Sequence, residues 1–267
     1  ARGLPLAVEK IDKNRWRVAA GGASAVTIQY RVYAREMSVR TNWVDDRFAL
    51  VNGAPSFMTL VEPGPRPHDV RLVLPPAWGQ TRTALPVAPG GQPHHYLAPD
   101  FDTLVDSPIV AGNPAVYEFE VEGRRHSLVN IGEAGVWDGA RAAADLDRVV
   151  RQTQRFWRQL PYDQYFFLNL ITEAGGGLEH KDSSVIMTAR WSTRTRPAYL
   201  GWLSLAAHEL FHAWNGKRLR PVELGPFDYE NENHTTGLWM AEGFTEYYAD
   251  LLLRRAGLSS ESEFLQA

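Results

Sequence analysis

The first half of the chain alternates apolar and polar residues with the period of a β-strand. The alternation is accompanied by β-branched and aromatic side chains in four segments, residues 15–18, 25–33, 70–74 and 116–121. Because a period of two places successive side chains on opposite faces, each segment is predicted to be a half-buried strand. Paired glycines and frequent prolines separate the segments. This half is therefore predicted to be all-β, with a sandwich or a saddle-shaped sheet.

The pattern changes to a helical one near Trp137. Asp138 is a candidate N-cap for a helix over about 139–158, in which apolar residues recur at helical spacing. A mostly apolar run at 165–171 predicts a strand that is buried on both faces.

Two further helices are predicted, at about 200–214 and 238–256, with Gly257 ending the second. The expected fold class is therefore α+β. We expect a β-rich domain over residues 1–135 and an α+β domain over 136–267.

Composition narrows the classes of function. The chain has 267 residues, of which 44% are hydrophobic, and a formal net charge of −3, so it is globular and carries no signature of nucleic-acid binding. It contains no cysteine, which excludes disulfides, thiolate metal sites and cysteine nucleophiles. No apolar run has membrane-spanning length, and the first residues lack a signal-peptide pattern. The compartment, whether periplasmic, secreted or cytoplasmic, and the oligomeric state stay open.

The segment His208-Glu209-Leu210-Phe211-His212 lies within an apolar helical stretch. Residues four apart share one helix face, so both imidazoles can reach a single metal ion, with Glu209 beside them as a general base. Histidine donors without thiolates are typical of a catalytic zinc site, which has three protein ligands and one open position.

A third ligand is expected from the residues downstream. The acids of the loop before residue 235 are more typical of solvated charges or caps, whereas Glu242 lies among Trp239, Met240 and Phe244. A carboxylate in apolar surroundings is costly unless it is paired or binds a metal. Glu246, one turn further on, is either an acceptor for a ligand histidine or an exposed helix residue.

These segments, HELFHAWNGKRLRP and then GLWMAEGFTEYYADLLLRRAGL, closely resemble the glycyl aminopeptidase family of gluzincin metallopeptidases. That family has an HExxH helix followed by Trp-Asn and a basic run, and then a W-x-x-EGFT helix with the third zinc ligand. The resemblance implies one zinc ion held by His208, His212 and Glu242, with Glu209 as the base, in a thermolysin-like α+β subdomain.

The resemblance extends to the segment Gly175-Gly176-Gly177-Leu178-Glu179-His180. It implies that Glu179 binds the free α-amine of a peptide substrate and that the release of Gly or Ala is preferred. Gly176 and Gly177 would let the backbone approach that peptide closely. His180 either lines the cleft or is an ordinary loop histidine.

Family members are about twice as long, with earlier strands, a catalytic tyrosine beyond the third ligand and a PDZ-like module. We therefore expect a fragment, whose own activity is open. Tyr229, Tyr247, Tyr248 and His234 are candidates for oxyanion stabilisation. The alternatives to an aminopeptidase are a zinc endopeptidase without an amine anchor and a peptide-binding protein with a silent zinc site.

Overall fold

The computed structural model of the protein describes residues 4–61 and 64–266. The N-terminal part is built from short strands and one short helix: β1 (Val8–Asp12), β2 (Arg15–Val18), β3 (Trp43–Val44), β4 (Ala49–Val51), β5 (His68–Arg71), β6 (Gln80–Arg82), β7 (His95–Ala98), α1 (Phe101–Val105) and β8 (Ile109–Gly112). β1 and β2 form an antiparallel hairpin, β5 pairs with β7, and a third sheet has the strand order β3-β4-β8-β6.

The rest of the chain forms one larger sheet and its helices: β9 (Ala115–Val121), β10 (Arg124–Gly132), α2 (Gly139–Trp157), β11 (Gln164–Ile171), β12 (Gly176–Glu179), β13 (Ser183–Thr188), α3 (Arg196–Phe211), α4 (Leu238–Arg255) and α5 (Glu261–Phe264). The strand order is β12-β13-β11-β10-β9, and β11 lies parallel to both of its neighbours. The antiparallel strand β12 lies at one edge of this sheet. The expected α+β class is confirmed.

Apolar layers cover both faces of the five-stranded sheet. On one face, side chains of α2, α3 and α4 pack in a common core with Phe167 and Ile171 of β11. On the other face, Val39 and Leu50 from the N-terminal part pack against Leu168 and Leu170. Because successive residues of β11 are buried on opposite faces, its mostly apolar run needs no polar alternation. The buried strand predicted at 165–171 is confirmed.

The helix predictions in the second half are also confirmed. α2 begins after Asp138, whose side chain accepts a hydrogen bond from the Arg141 amide at 3.1 Å. This bond satisfies one of the amides that lack a partner at a helix start. Gly257 follows α4 with φ +68°, a left-handed conformation that ends helices.

One strand prediction is wrong, and another has displaced bounds. Residues 25–33 form no strand, and their apolar side chains Val26, Ile28 and Tyr30 are 40–51% exposed. Alternation sets which side chains share a face, but a strand also needs a hydrogen-bonding neighbour, and none of the strands in 4–61 and 64–266 supplies one. The strand expected at 70–74 forms at His68–Arg71 instead, with Val73 left exposed.

The proposed division at residues 135 and 136 stays a prediction. β9 and β10 precede it, yet they belong to the same sheet as β11. In the described ranges, no helix is both long and apolar enough to cross a bilayer.

Candidate metal and catalytic site

The two histidines of the HELFH segment lie at the C-terminal end of α3. The helix starts at Thr195, whose hydroxyl accepts from the Ala198 amide, and is buried between the large sheet and α4. His208 lies in its last turn and His212 is its C-cap. Their rings are 4.6 Å apart between centroids, so one helix turn brings both to one point.

Three donor atoms converge there. His208 Nε2 and His212 Nε2 are 3.0 Å apart, and each lies 3.4 Å from Glu242 Oε2 of α4. Ligand atoms placed tetrahedrally about zinc at ordinary bond lengths are separated by roughly 3.3 Å. The separations among the three donors are therefore close to those of a zinc ligand set.

The other ring nitrogens determine which atoms face this point. His208 Nδ1 donates to Glu246 Oε2 at 2.8 Å, and His212 Nδ1 donates to the Asn215 carbonyl oxygen at 2.8 Å. In each neutral ring, Nε2 is then a bare acceptor. Two such acceptors and a carboxylate repel one another unless a cation lies among them, so the residues present fit a metal ion.

The apolar setting that singled out Glu242 is not a buried one. Its side chain is 50% exposed, and its neighbours Trp239, Met240 and Phe244 are 45–64% exposed. The expected desolvation cost therefore does not distinguish Glu242 from other acids. Glu242 is distinguished by its position opposite the two histidines, which results from the packing of α4 across α3.

The Glu209 side chain is shielded from solvent and lies against Gly177 of β12. The residue is buried, and its Oε2 atom has no hydrogen-bond partner among the described residues. Burial, followed by the charges of Glu179 and Glu242, raises the pKa of Glu209 to about 8. A cation bound by His208 and His212 would favour the carboxylate form and lower this pKa. With a cation in place, Glu209 would be a candidate proton acceptor.

Glu179 lies beside this acceptor. A carboxylate oxygen of Glu179, one of Glu209 and a ring nitrogen of His212 all lie within 4.8 Å of one another. Glu179 ends the edge strand β12, and alternation along that strand places Gly177 and Glu179 on the face towards α3. Leu178 points to the opposite face and packs against the N-terminal core.

Gly177 has a steric reason to be glycine. A Cβ atom at this position would lie 2.0 Å from Glu209 Oε1 and 2.5 Å from its carboxyl carbon. Gly176 has φ +115°, which side chains rarely adopt. The backbone of β12 therefore lies directly against the proposed base.

We expect Gly177→Ala to reduce kcat by about 100-fold, because the methyl group must displace the Glu209 carboxylate and small displacements of reacting groups are costly. Peptide hydrolysis and zinc content would be measured on the purified protein. Gly175→Ala is the matched control, because a Cβ there meets nothing within 4 Å. Equal effects of the two substitutions would contradict this prediction.

The weaker sequence candidates have their contacts elsewhere. Tyr229 donates to Asp102 Oδ1 at 2.6 Å, and Tyr248 packs against Phe156 and Phe211. Tyr247 is 55% exposed, and the His234 side chain is 84% exposed. No residue from this group is brought to the three-donor point by a hydrogen bond or an ion pair in the described part of the chain.

Asn215 is a residue whose role the sequence did not reveal. Its carbonyl orients His212, while its side-chain amide donates to the Met240 and Ala241 carbonyls and to Thr245 Oγ1 of α4. Asn215 thus ties the end of α3 to the helix that carries Glu242. The sequence signal that could have pointed to this role is a side-chain amide three residues after the second histidine.

Comparisons with known proteins identify the family of this chain. A sequence model described as the peptidase M61 N-terminal domain matches residues 1–113, and one described as M61 glycyl aminopeptidase matches residues 201–267. The chain belongs to the M61 peptidase family. The search of curated proteins found no match.

Among solved structures, the chain is similar to the crystal structure of an aminopeptidase N family protein from Idiomarina loihiensis. The TM-score is 0.90 at 32% sequence identity, over 99% of this chain and 46% of that one. The M61 chain described here therefore spans less than half of the length of that relative.

Proposed function

We propose that the protein is a zinc-dependent aminopeptidase that releases small N-terminal residues from peptides. The observation that carries the proposal is the placement of Glu179 next to Glu209, beside the point where His208, His212 and Glu242 converge. The family match and the aminopeptidase neighbour support peptide hydrolysis. The preference for Gly or Ala rests on the resemblance to glycyl aminopeptidases.

His208, His212 and Glu242 would hold the metal, with Glu246 and the Asn215 carbonyl orienting the two rings. A zinc ion bound there would supply Lewis acidity, lowering the pKa of a nearby water and polarising the scissile carbonyl. A buried, intact Glu209 favours a catalytic site over a structural one, because a purely structural site has no use for a base.

Glu209 is the residue that moves the proton. As the attacking water forms its bond to the carbonyl carbon, Glu209 accepts a proton from that water. It then gives this proton to the nitrogen of the leaving amine as the carbon–nitrogen bond breaks. Burial and the neighbouring carboxylates raise the pKa of its carboxyl, and a bound cation would lower it again, so that Glu209 could accept a proton and return it near neutral pH.

Glu179 is the residue that would restrict cleavage to the first peptide bond. A carboxylate binds a charged α-amine through charge-assisted hydrogen bonds. Since Glu179 and Glu209 are within 4.8 Å of one another, only the bond next to the amine would reach the base. β12 pairs with β13 on one side only among the described strands, so the substrate backbone can lie along its other side.

We expect Glu179→Gln to raise KM for glycyl p-nitroanilide by roughly 10–100-fold, because a charge-assisted bond contributes about 1.5–3 kcal/mol. N-acetylglycyl p-nitroanilide, which has no charged amine, should be a poor substrate for the parent protein. Zinc content should be unchanged, because Glu179 is outside the three-donor set.

A comparison of free and acetylated peptides separates the alternatives. If the parent protein cut both equally well, it would be an endopeptidase and Glu179 would have no anchoring role. If zinc bound but neither peptide was cut, a peptide-binding role with a silent site would replace the proposal.

A further inference from the structure

Asp106, far from α3 in sequence, accepts hydrogen bonds from three donors that lie close in the chain to residues of the candidate site. Asp106 is the C-cap of α1 in the N-terminal part. His180 Nδ1 and Lys217 Nζ lie 3.0 and 2.7 Å from its Oδ1 atom, and the Lys181 amide donates to Oδ2 at 3.0 Å. These donors come from the turn after β12 and from the loop after α3.

The contacts of His180 follow from strand alternation. Glu179 faces α3, so the next residue, His180, faces the N-terminal part and is only 6% exposed. His180 therefore does not line the cleft. Because its Nδ1–H donates to Asp106, its ring fixes the end of β12 from the side opposite the candidate site.

The basic run that follows α3 also forms hydrogen bonds with the turn after β12. Arg218 donates to the Lys181 carbonyl at 2.9 Å and to Asp182 Oδ1 at 2.8 Å. It also donates to the Ala213 carbonyl at 2.8 Å, immediately after the ligand His212. Arg218 thus connects the end of α3 to the turn that follows Glu179, and Asp106 joins that turn and Lys217 to the N-terminal part.

Asp106 is largely buried, with 18% of its side chain exposed. Burial raises its pKa, but the hydrogen bond from His180 and the charge of Lys217 outweigh burial and lower the pKa to about 2. Its carboxylate is therefore charged throughout the pH range in which a peptidase would work. Removal of that charge would leave Lys217, only 17% exposed, without its partner.

We infer that Asp106 is a positioning residue that sets the location of Glu179 relative to the zinc helix, and hence the discrimination between free and blocked peptide N-termini. This inference rests on the proposed function of Glu179. None of the hydrogen bonds of Asp106 is to the candidate metal ligands His208, His212 and Glu242 or to Glu209. Asp106 therefore acts through β12 and the loop after α3.

The test is a double-mutant cycle between Asp106→Asn and Glu179→Gln in the purified protein. Asp106→Asn keeps the shape of the side chain but removes its charge. We expect it to raise KM for glycyl p-nitroanilide roughly 10-fold, as outer contacts of a site typically do, with kcat and zinc content near parent values. In the Glu179→Gln background the same substitution should have little further effect. Effects that multiply in the two backgrounds would overturn the inference.

Two comparisons guard against a general loss of structure. Asp102→Asn removes a carboxylate one turn earlier in α1, where the partner is Tyr229, and should leave KM unchanged. If Asp106→Asn does not fold, His180→Ala should give the same rise in KM, whereas His180→Asn should largely prevent it. The Asn side-chain amide can occupy the place of Nδ1. Equal effects of the two His180 variants would overturn the inference.

Hydrogen exchange separates this inference from the proposed function. Asp106→Asn should speed amide exchange at residues 177–180 and leave α3 protected. If Glu179→Gln itself left the preference for free amines intact, the anchoring role would fail, and the exchange comparison would still decide whether Asp106 holds β12. Unchanged exchange at these amides would overturn the positioning role.

Discussion

Glu209→Gln should reduce kcat for glycyl peptides by about 1,000- to 10,000-fold while the zinc content stays at one ion per chain. The magnitude is at the upper end of general acid–base catalysis, because this residue both removes a proton from water and returns it to the leaving amine. Glutamine has nearly the same shape but cannot accept that proton. Glu209 is outside the set of His208, His212 and Glu242, so metal binding should persist.

The measurement pairs steady-state kinetics with elemental analysis of the same sample. Glu261→Gln serves as the matched control, because Glu261 is an exposed residue in the first turn of α5. Full activity in Glu209→Gln would show that another group moves the proton. Loss of zinc together with activity would show instead that Glu209 supports the metal.

Glu242→Gln should remove most of the bound zinc, and activity with it. A neutral amide oxygen is a poorer zinc ligand than a carboxylate, and only two histidine nitrogens would remain. We expect the zinc dissociation constant to rise by more than about 100-fold, beyond the 10- to 100-fold that is typical when a residue behind a ligand is lost. Competition with a chelator of known affinity would measure it.

α4 offers a graded series for this experiment. Glu246→Gln, one turn on, replaces the charged acceptor of the His208 ring by a neutral amide oxygen and should weaken zinc binding by about 10- to 100-fold. Asp250→Asn, a further turn on, loses a hydrogen bond from Ser204 and should retain zinc. The proposed ligand set would be wrong if Glu242→Gln bound zinc as tightly as Asp250→Asn does.

The local sequence predicted the helices and the buried strand well. α2, α3 and α4 could be found because helical periodicity, caps and stop residues are encoded within a few residues of one another. The HELFH segment belongs to the same class, since a spacing of four residues on a helix determines that two side chains share a face. This spacing, with the absence of cysteine, was sufficient to predict a histidine metal site.

Strand pairing and the rest of the site depended on residues distant in the chain. The segment at 25–33 has the composition of a strand, but pairing requires a neighbour whose position no local pattern specifies. Glu242 was chosen for its apolar surroundings, yet those neighbours are exposed, and it is the packing of α4 across α3 that brings it to the histidines.

The sequence by itself determined the α+β class, the helices α2, α3 and α4 and the histidine pair, because each depends on spacing within one element; the short helices α1 and α5 were not predicted. Only the tertiary structure decided which carboxylates meet those histidines and which do not. It brought Glu179 beside Glu209 through the edge position of β12, and it brought Asp106 to His180 across 74 residues of chain. The physical reason is that converging side chains from different elements are placed by the packing of those elements, which no single segment encodes.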